Sequence, residues 1–318
     1  MLRMVGVTAF LVGSAVMACA QDYPSRPITI VVPFPAGGTA DLLPRLIGEP
    51  LRAGIGQSIV VENKSGAGGN IGLEFVARAA PDGYTLLNAP QLSFSVNHLL
   101  NPNLRVDPRA MEPVSVLATY PAVIFAKASL PVENLADLIA YAKANPGKLS
   151  YGSQGRGQHG HLTIEALNIR AGLDIVHVPY RGSAPAINDL LAGQIDILAD
   201  YMLAGMQHVQ AGKLKLIAVG GKERLKAFPN VQTFNETVPG FFSDTWMAVA
   251  APAATPKQVT QLLSGNIAKA IRTPEVQARI RELQADPLGS TSDQMQALIK
   301  ESYDRWAPII AQGNIRAE

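Results

Sequence analysis

Short apolar runs alternate with helically spaced ones along most of this chain, and the changes fall on turns bearing Gly or Pro. Residues 28–33 (ITIVVP) are continuously apolar, and Leu42, Leu43, Leu46 and Ile47 follow at helical spacing. The runs 58–61, 84–87, 122–125, 149–152, 175–179, 195–199 and 214–219 repeat the strand signal, with helical segments between most of them. The segment 135–144 keeps Leu135, Leu138, Ile139 and Ala142 on one helical face and stops at Asn145-Pro146-Gly147. Strands that alternate with helices predict parallel sheets covered by helices on both faces. From Pro256 onward the chain reads as helices only, ending near Ile310.

Two blocks of this alternation, about 23–121 and 122–247, predict two α/β lobes. The apolar strand 245–251 (TWMAVAA) precedes the helical tail and is expected to return to the first lobe. The expected division is 21–121 plus 248–318 for lobe one and 122–247 for lobe two, with two strands crossing between them as a hinge. A ligand would sit in the cleft beyond the strand C-termini.

Three glycine-rich turns follow strands. Residues 30–41 (IVVPFPAGGTAD) lead from a strand through Gly37 and Gly38 into a helix start, and so aim free backbone amides at an anion. The turn lacks the Lys-Ser/Thr ending of a phosphate loop. The second turn, 66–72, has Ile71 where a dinucleotide fingerprint needs glycine; the third, 155–160, matches G-x-G-x-x-G, but its strand is short and polar and no acid ends the next one. With no phosphate-sized cationic cluster, a carboxylate is the better fit, and no cofactor is expected.

Other chemistries are poorly served. Ser153 has Tyr151 where a nucleophile elbow needs glycine. His159-x-His161 lacks nearby carboxylates, so no metal is expected. Asp196 and Asp200 would stand roughly 13 Å apart in extended chain, too far to share a proton. The chain is therefore not read as an enzyme.

The N-terminus carries a leader. Arg3 is followed by the apolar run 4–18, and Ala18-Cys19-Ala20 suits cleavage before Gln21; residues 16–19 form only a poor lipid-attachment box, so lipidation at Cys19 is the lesser alternative. Cleavage would leave 298 residues without cysteine, which removes disulfides and thiol chemistry, and 26 basic against 25 acidic residues. No basic cluster with interleaved aromatics is present, so nucleic acid is not an expected partner. An exported, well-packed protein is expected.

Several motifs in register carry a specific resemblance: YPSRPI (23–28), VPFPAGGTAD (32–41), VVENKSGAGGNIG (60–72), PDGYTLL (81–87), VPYRGSAPAINDLLAGQIDILAD (178–200) and WMAVAAPAATP (246–256). The chain resembles the Bug family, the extracytoplasmic solute receptors of tripartite tricarboxylate transporters. The resemblance implies a type II periplasmic-binding-protein fold, two doubly wound α/β lobes closing on a small organic carboxylate, and large and small membrane subunits as partners of a monomeric receptor. It places ligand contacts at Phe34, Ala36, Gly37, Gly38 and Thr39 of the first loop and at Gln91, Leu92 and Ser93 of a neighbouring one. From the second lobe it implies Ser153, Gly155, Arg156, Gly157, Gln158 and His159, then Tyr180 and Arg181 at a turn, and the acid Asp200. A ligand sensor feeding a two-component signalling system is the alternative on the same fold.

Two departures from the family pattern stand out. Pro44 replaces a usual alanine in the first helix; with Asp41 as N-cap it would fall at the third helical position, where a missing N–H costs nothing. Ser183 is likewise expected to cap its helix, with Pro185 in the first turn. In the second loop Arg156 and Gln158 replace a neutral residue and a hydroxyl, so a cation and an amide are gained.

Overall fold

The computed structural model describes residues 23–317; the leader, its cleavage point and Cys19 lie outside the described residues. The elements run β1 (Ile28–Val32), α1 (Thr39–Ile55), β2 (Ile59–Asn63), α2 (Asn70–Ala77), β3 (Thr85–Pro90), α3 (Gln91–Ser95), α4 (Asn97–Leu100) and β4 (Glu112–Lys127). Next come α5 (Leu135–Ala144), β5 (Ser150–Ser153), α6 (His159–Ala171), β6 (Val176–Pro179), α7 (Ser183–Leu191), β7 (Ile197–Tyr201), α8 (Met202–Gln210), β8 (Leu214–Val219) and α9 (Phe234–Thr237). The chain closes with β9 (Asp244–Ala251), α10 (Lys257–Ile271), α11 (Pro274–Glu282), β10 (Asp286–Pro287) and α12 (Ser292–Gln312).

Along the main path the strands follow the order β2-β1-β3-β9-β4-β7-β5-β6. β2, β1 and β3 are parallel, as are β7, β5 and β6, while β9 and β4 run antiparallel to their neighbours. β4 is the spine. Its residues 112–121 pair with β9, and residues 122–127 lie between β7 and β8. Where it passes from one set of partners to the other, Ala122 donates to Ser243 O at 2.8 Å, Ser243 to Gly220 O at 2.8 Å and Gly220 to Ala122 O at 2.6 Å. The alternation in the sequence revealed only the second half of this strand, because residues 112–121 mix Glu, Pro, Ser and Thr with apolar positions.

Burial explains the continuous apolar strands. Ile28, Ile30 and Val32 pack under Leu43, Ile47 and Leu263, whereas Val31 faces Leu73, Val76 and Trp246 on the other side. The strands from β4 residues 122–127 through β8, β7, β5 and β6 form a second sheet, likewise covered twice, by Leu135, Leu162 and Leu167 on one face and by Ile187, Leu190 and Met202 on the other. A strand buried on both faces has no polar side to alternate with. The tail is not helices alone, since Asp286 and Pro287 pair with Thr119 and Ala118. The end of α12 reaches the second sheet's core, where Trp306, Ile309 and Ile310 pack with Tyr151, Leu162 and Ile197.

Candidate functional site

The first wall of the site is the turn from β1 into α1. Gly37 sits at φ +91°, a left-handed conformation that glycine reaches without strain. α1 begins at Thr39 with Gly38 as its N-cap, so Asp41 is the third helical residue rather than the cap expected from sequence. Its carboxylate reaches back to Gly37 N–H (3.0 Å) and accepts from Arg45 Nε (2.9 Å) and Asn63 Nδ2 (3.0 Å). The Arg45 bond, with those from Gly37 and Asn63, outweighs burial and holds the Asp41 carboxyl down at about 2. The Gly37 amide is thereby spent. The amides left to face a ligand are those of Gly38, Thr39 and Ala40, which open the 17-residue helix and have no intrahelical acceptor.

An earlier helix start moves Pro44 to the sixth helical position, inside α1. The helical partner of Ala40 O would be the N–H of residue 44, which proline lacks. Asn88 Nδ2, from β3, donates to that carbonyl at 2.7 Å instead. An orphaned buried carbonyl costs about 1–3 kcal/mol, and the side-chain amide offsets it.

The second wall is the turn from β5 into α6, and it spends its amides internally. Gly157 N–H donates to His161 Nδ1 (2.9 Å), Gly160 N–H to Gln154 Oε1 (3.3 Å) and Gly155 N–H to Ser153 Oγ (3.2 Å). Ser153 Oγ also lies 2.7 Å from His177 Nε2 and 3.1 Å from Gly155 O. Each contact is satisfied when His177 Nε2–H donates to Ser153 Oγ and the hydroxyl donates to Gly155 O. His159 and His161 part company: His159 stacks on Tyr201 and meets the edge of Trp306, while His161 stacks on His177. Burial holds His159 neutral, its pKa down at about 4.

Asp200, next to last in β7, has 1% of its surface exposed, and its Oδ1 accepts Tyr201 N–H at 2.8 Å. Burial pushes its carboxyl up. Among the described residues its Oδ2 has no hydrogen-bond partner.

These walls enclose a cleft of about 900 Å³. Of the residues expected from sequence it brings together Phe34, Ala36, Gly37, Gly38, Thr39, Leu92, Ser93, Arg156, Gly157, Gln158, His159, Arg181 and Asp200. Four others stand behind the wall. Gln91 is buried, Ser153 lies under the turn against His177, Gly155 folds back on Ser153, and the Tyr180 hydroxyl is bound to Asp189 at 2.8 Å. The cleft also takes in Gln154 of the expected loop 153–159, and Asn70, Asn97, Asn101, Ser183, Tyr201 and Thr245, which sequence reasoning did not assign. Asn70 was within reach, because it stands in the GAGGN turn already singled out; Asn97, Asn101 and Thr245 carry no local signal. Both cleft arginines are exposed, Arg156 on the turn from β5 into α6 and Arg181 on the turn from β6 into α7. Among the described residues Arg156 makes no ion pair within 4.0 Å.

Residues 43–315 match the sequence profile of the tripartite tricarboxylate transporter family receptor. Protein BugT of Bordetella pertussis (strain Tohama I) is 34% identical over 98% of this chain and 97% of its own length. The structure of Rpa4515 from R. palustris with adipate superposes with a TM-score of 0.83 at 35% identity, covering 93% of this chain and 99% of that one. MatC from Rhodopseudomonas palustris with bound malate gives a TM-score of 0.78 at 30% identity, over 91% and 100%. Built on the same α/β architecture and matched along nearly its whole length, this chain belongs to the family of tripartite tricarboxylate transporter receptors, the Bug proteins.

Proposed function

We propose that this chain is a periplasmic receptor that captures a small organic carboxylate, either a di- or tricarboxylate or an aromatic one. It delivers that ligand as a monomer to the large and small membrane subunits of a tripartite tricarboxylate-type transporter. The observation that carries this reading is one cleft lined both by the start of α1, with the amides of Gly38, Thr39 and Ala40, and by Arg156 and Arg181. Amides at a helix start suit one carboxylate, and a planar guanidinium suits a second with two parallel hydrogen bonds. Dicarboxylates bound to two relatives, adipate and malate, support the same ligand class.

Capture involves two lobes closing. We read residues 21–121 plus 248–318 and residues 122–247 as these lobes, with β4 and the connection at Ser243 and Asp244 as the hinge. The change of strand partners between Pro121 and Ala122 supports that reading, as does the entry of β9 into the first sheet from Asp244.

Mass spectrometry of what co-purifies with the exported protein, followed by calorimetric titration with a panel of carboxylates, tests the proposal. Binding of a dicarboxylate that survives chelator is the expected result. Failure of every mono-, di- and tricarboxylate to bind would overturn it.

A further inference from the structure

We propose that Asn88 is a positioning residue for the anion-binding amides, and that it does this work because Pro44 has taken the backbone donor away. This inference rests on the reading of the cleft as a carboxylate site.

Ala40 belongs to two structures at once. It lines the cleft, and its amide is one of those that open α1. Its carbonyl, on the buried side, is held by Asn88 Nδ2 at 2.7 Å. In an uninterrupted helix the N–H four residues on would hold that carbonyl, and the first turn would be anchored by the helix itself. Proline at position 44 transfers the anchor to β3, a strand of the sheet beneath. The first turn of α1 is therefore registered against the sheet by a side chain.

Asn88 is an expensive residue for its place. It is fully buried, and its Oδ1 has no hydrogen-bond partner among the described residues. Its neighbours in β3, Leu86, Leu87 and Ala89, are apolar. An apolar side chain would fill the position without stranding an oxygen. Of its two polar ends, only the amide nitrogen is engaged, and its partner is the cleft residue Ala40.

The test is a double-mutant cycle on the full exported chain, with Asn88→Ala, Pro44→Ala and the pair together. Asn88→Leu serves as a second, volume-filling variant. Two readouts are taken: hydrogen exchange of the peptide spanning residues 34–43 without ligand, and titration with adipate and malate. Asn88→Ala and Asn88→Leu should speed exchange in that peptide several-fold and weaken dicarboxylate binding about 3- to 10-fold, the range for one neutral hydrogen bond. In the Pro44→Ala background, where residue 44 again donates to Ala40 O, the same changes at position 88 should cost less than about twofold. Equal losses in both backgrounds, or exchange that does not change, would overturn the inference. If the unmodified chain binds no carboxylate, the receptor reading fails, and the exchange cycle still decides whether Asn88 holds the turn.

Discussion

The imidazole rings of His161 and His177 stack face to face, their centroids 3.9 Å apart and their planes 8° from parallel. Tyr151 stands beside the pair, its centroid 4.7 Å from that of His177 and 6.4 Å from that of His161, with its hydroxyl donating to Glu165 at 2.6 Å, and Arg156 stands close enough to disfavour a charge on either ring. Because His161 Nδ1 accepts the Gly157 amide, this stack also shapes the cleft loop that carries Arg156, Gly157 and Gln158.

Acid should loosen this loop before it affects the rest of the chain. Burial first, then His177 and Arg156, bring His161 down to about 3; burial and Arg156 bring His177 to about 4. Unfolded histidine takes its proton near 6.5, so between that value and 3–4 the unfolded state binds more protons. The stability this supplies is full above about 6.5 and is lost as pH falls toward 4. Asp200, with its raised pKa, acts in the opposite sense and offsets part of the loss. Melting temperature measured from pH 7.5 to 5 should fall by several degrees, at roughly 2–4 °C per kcal/mol. The slope should be flatter in His161→Gln. An equal slope in both proteins would contradict the assignment.

Arg156 should distinguish ligands by charge. Arg156 lines the same cleft as the start of α1 and makes no ion pair among the described residues. Arg156→Ala is expected to cost about 1.5–3 kcal/mol for a dicarboxylate, the range for a hydrogen bond to a charged group. The matching monocarboxylate should lose much less. Calorimetry with the two ligands checks this, and equal losses would place the side chain outside the contact set.

Gly37 and Gly38 should separate folding from binding. A Cβ at either position meets nothing within 4 Å, but Gly37 sits at φ +91° and Gly38 at φ −82°. Gly37→Ala is expected to lower stability by about 1–2 kcal/mol through left-handed strain. Gly38→Ala should leave melting unchanged yet weaken carboxylate binding, because the new methyl stands beside the amides. Thermal melting and titration on both variants decide it. Equal melting losses would show that backbone conformation is not the difference.

Gly220 should be the least replaceable glycine at the crossing. A Cβ there would lie 2.3 Å from Ser243 O, inside the hydrogen-bonded ring of Ala122, Ser243 and Gly220. Gly220→Ala is expected to cost about 1–3 kcal/mol, the usual range for overpacking. It should also blunt the compaction expected in small-angle scattering if a dicarboxylate closes the proposed lobes. A variant that melts and scatters like the unmodified chain would argue against the proposed hinge at this crossing.

The alternation of apolar and helical runs was enough to reveal the α/β class, most strands and the three glycine turns, because burial on both faces and turn chemistry leave local marks. Leu214–Val219 and Leu135–Ala144 have the same bounds in sequence and structure. Turn chemistry also placed the cleft loops, since Gly37 and Gly157 adopt positive φ where helices begin. The first half of β4, the seat of Trp306 in the second core, and the cleft residues Asn97 and Thr245 were decided by contacts between segments far apart in the chain. The start of α1 was decided in the same way. Read locally, Pro44 argues for a helix capped at Asp41, but Asn88, 44 residues later, supplies the donor that proline lacks and lets the helix begin at Thr39. Propensity is a property of neighbouring residues, whereas a hydrogen bond from another strand exists only once the sheet has formed.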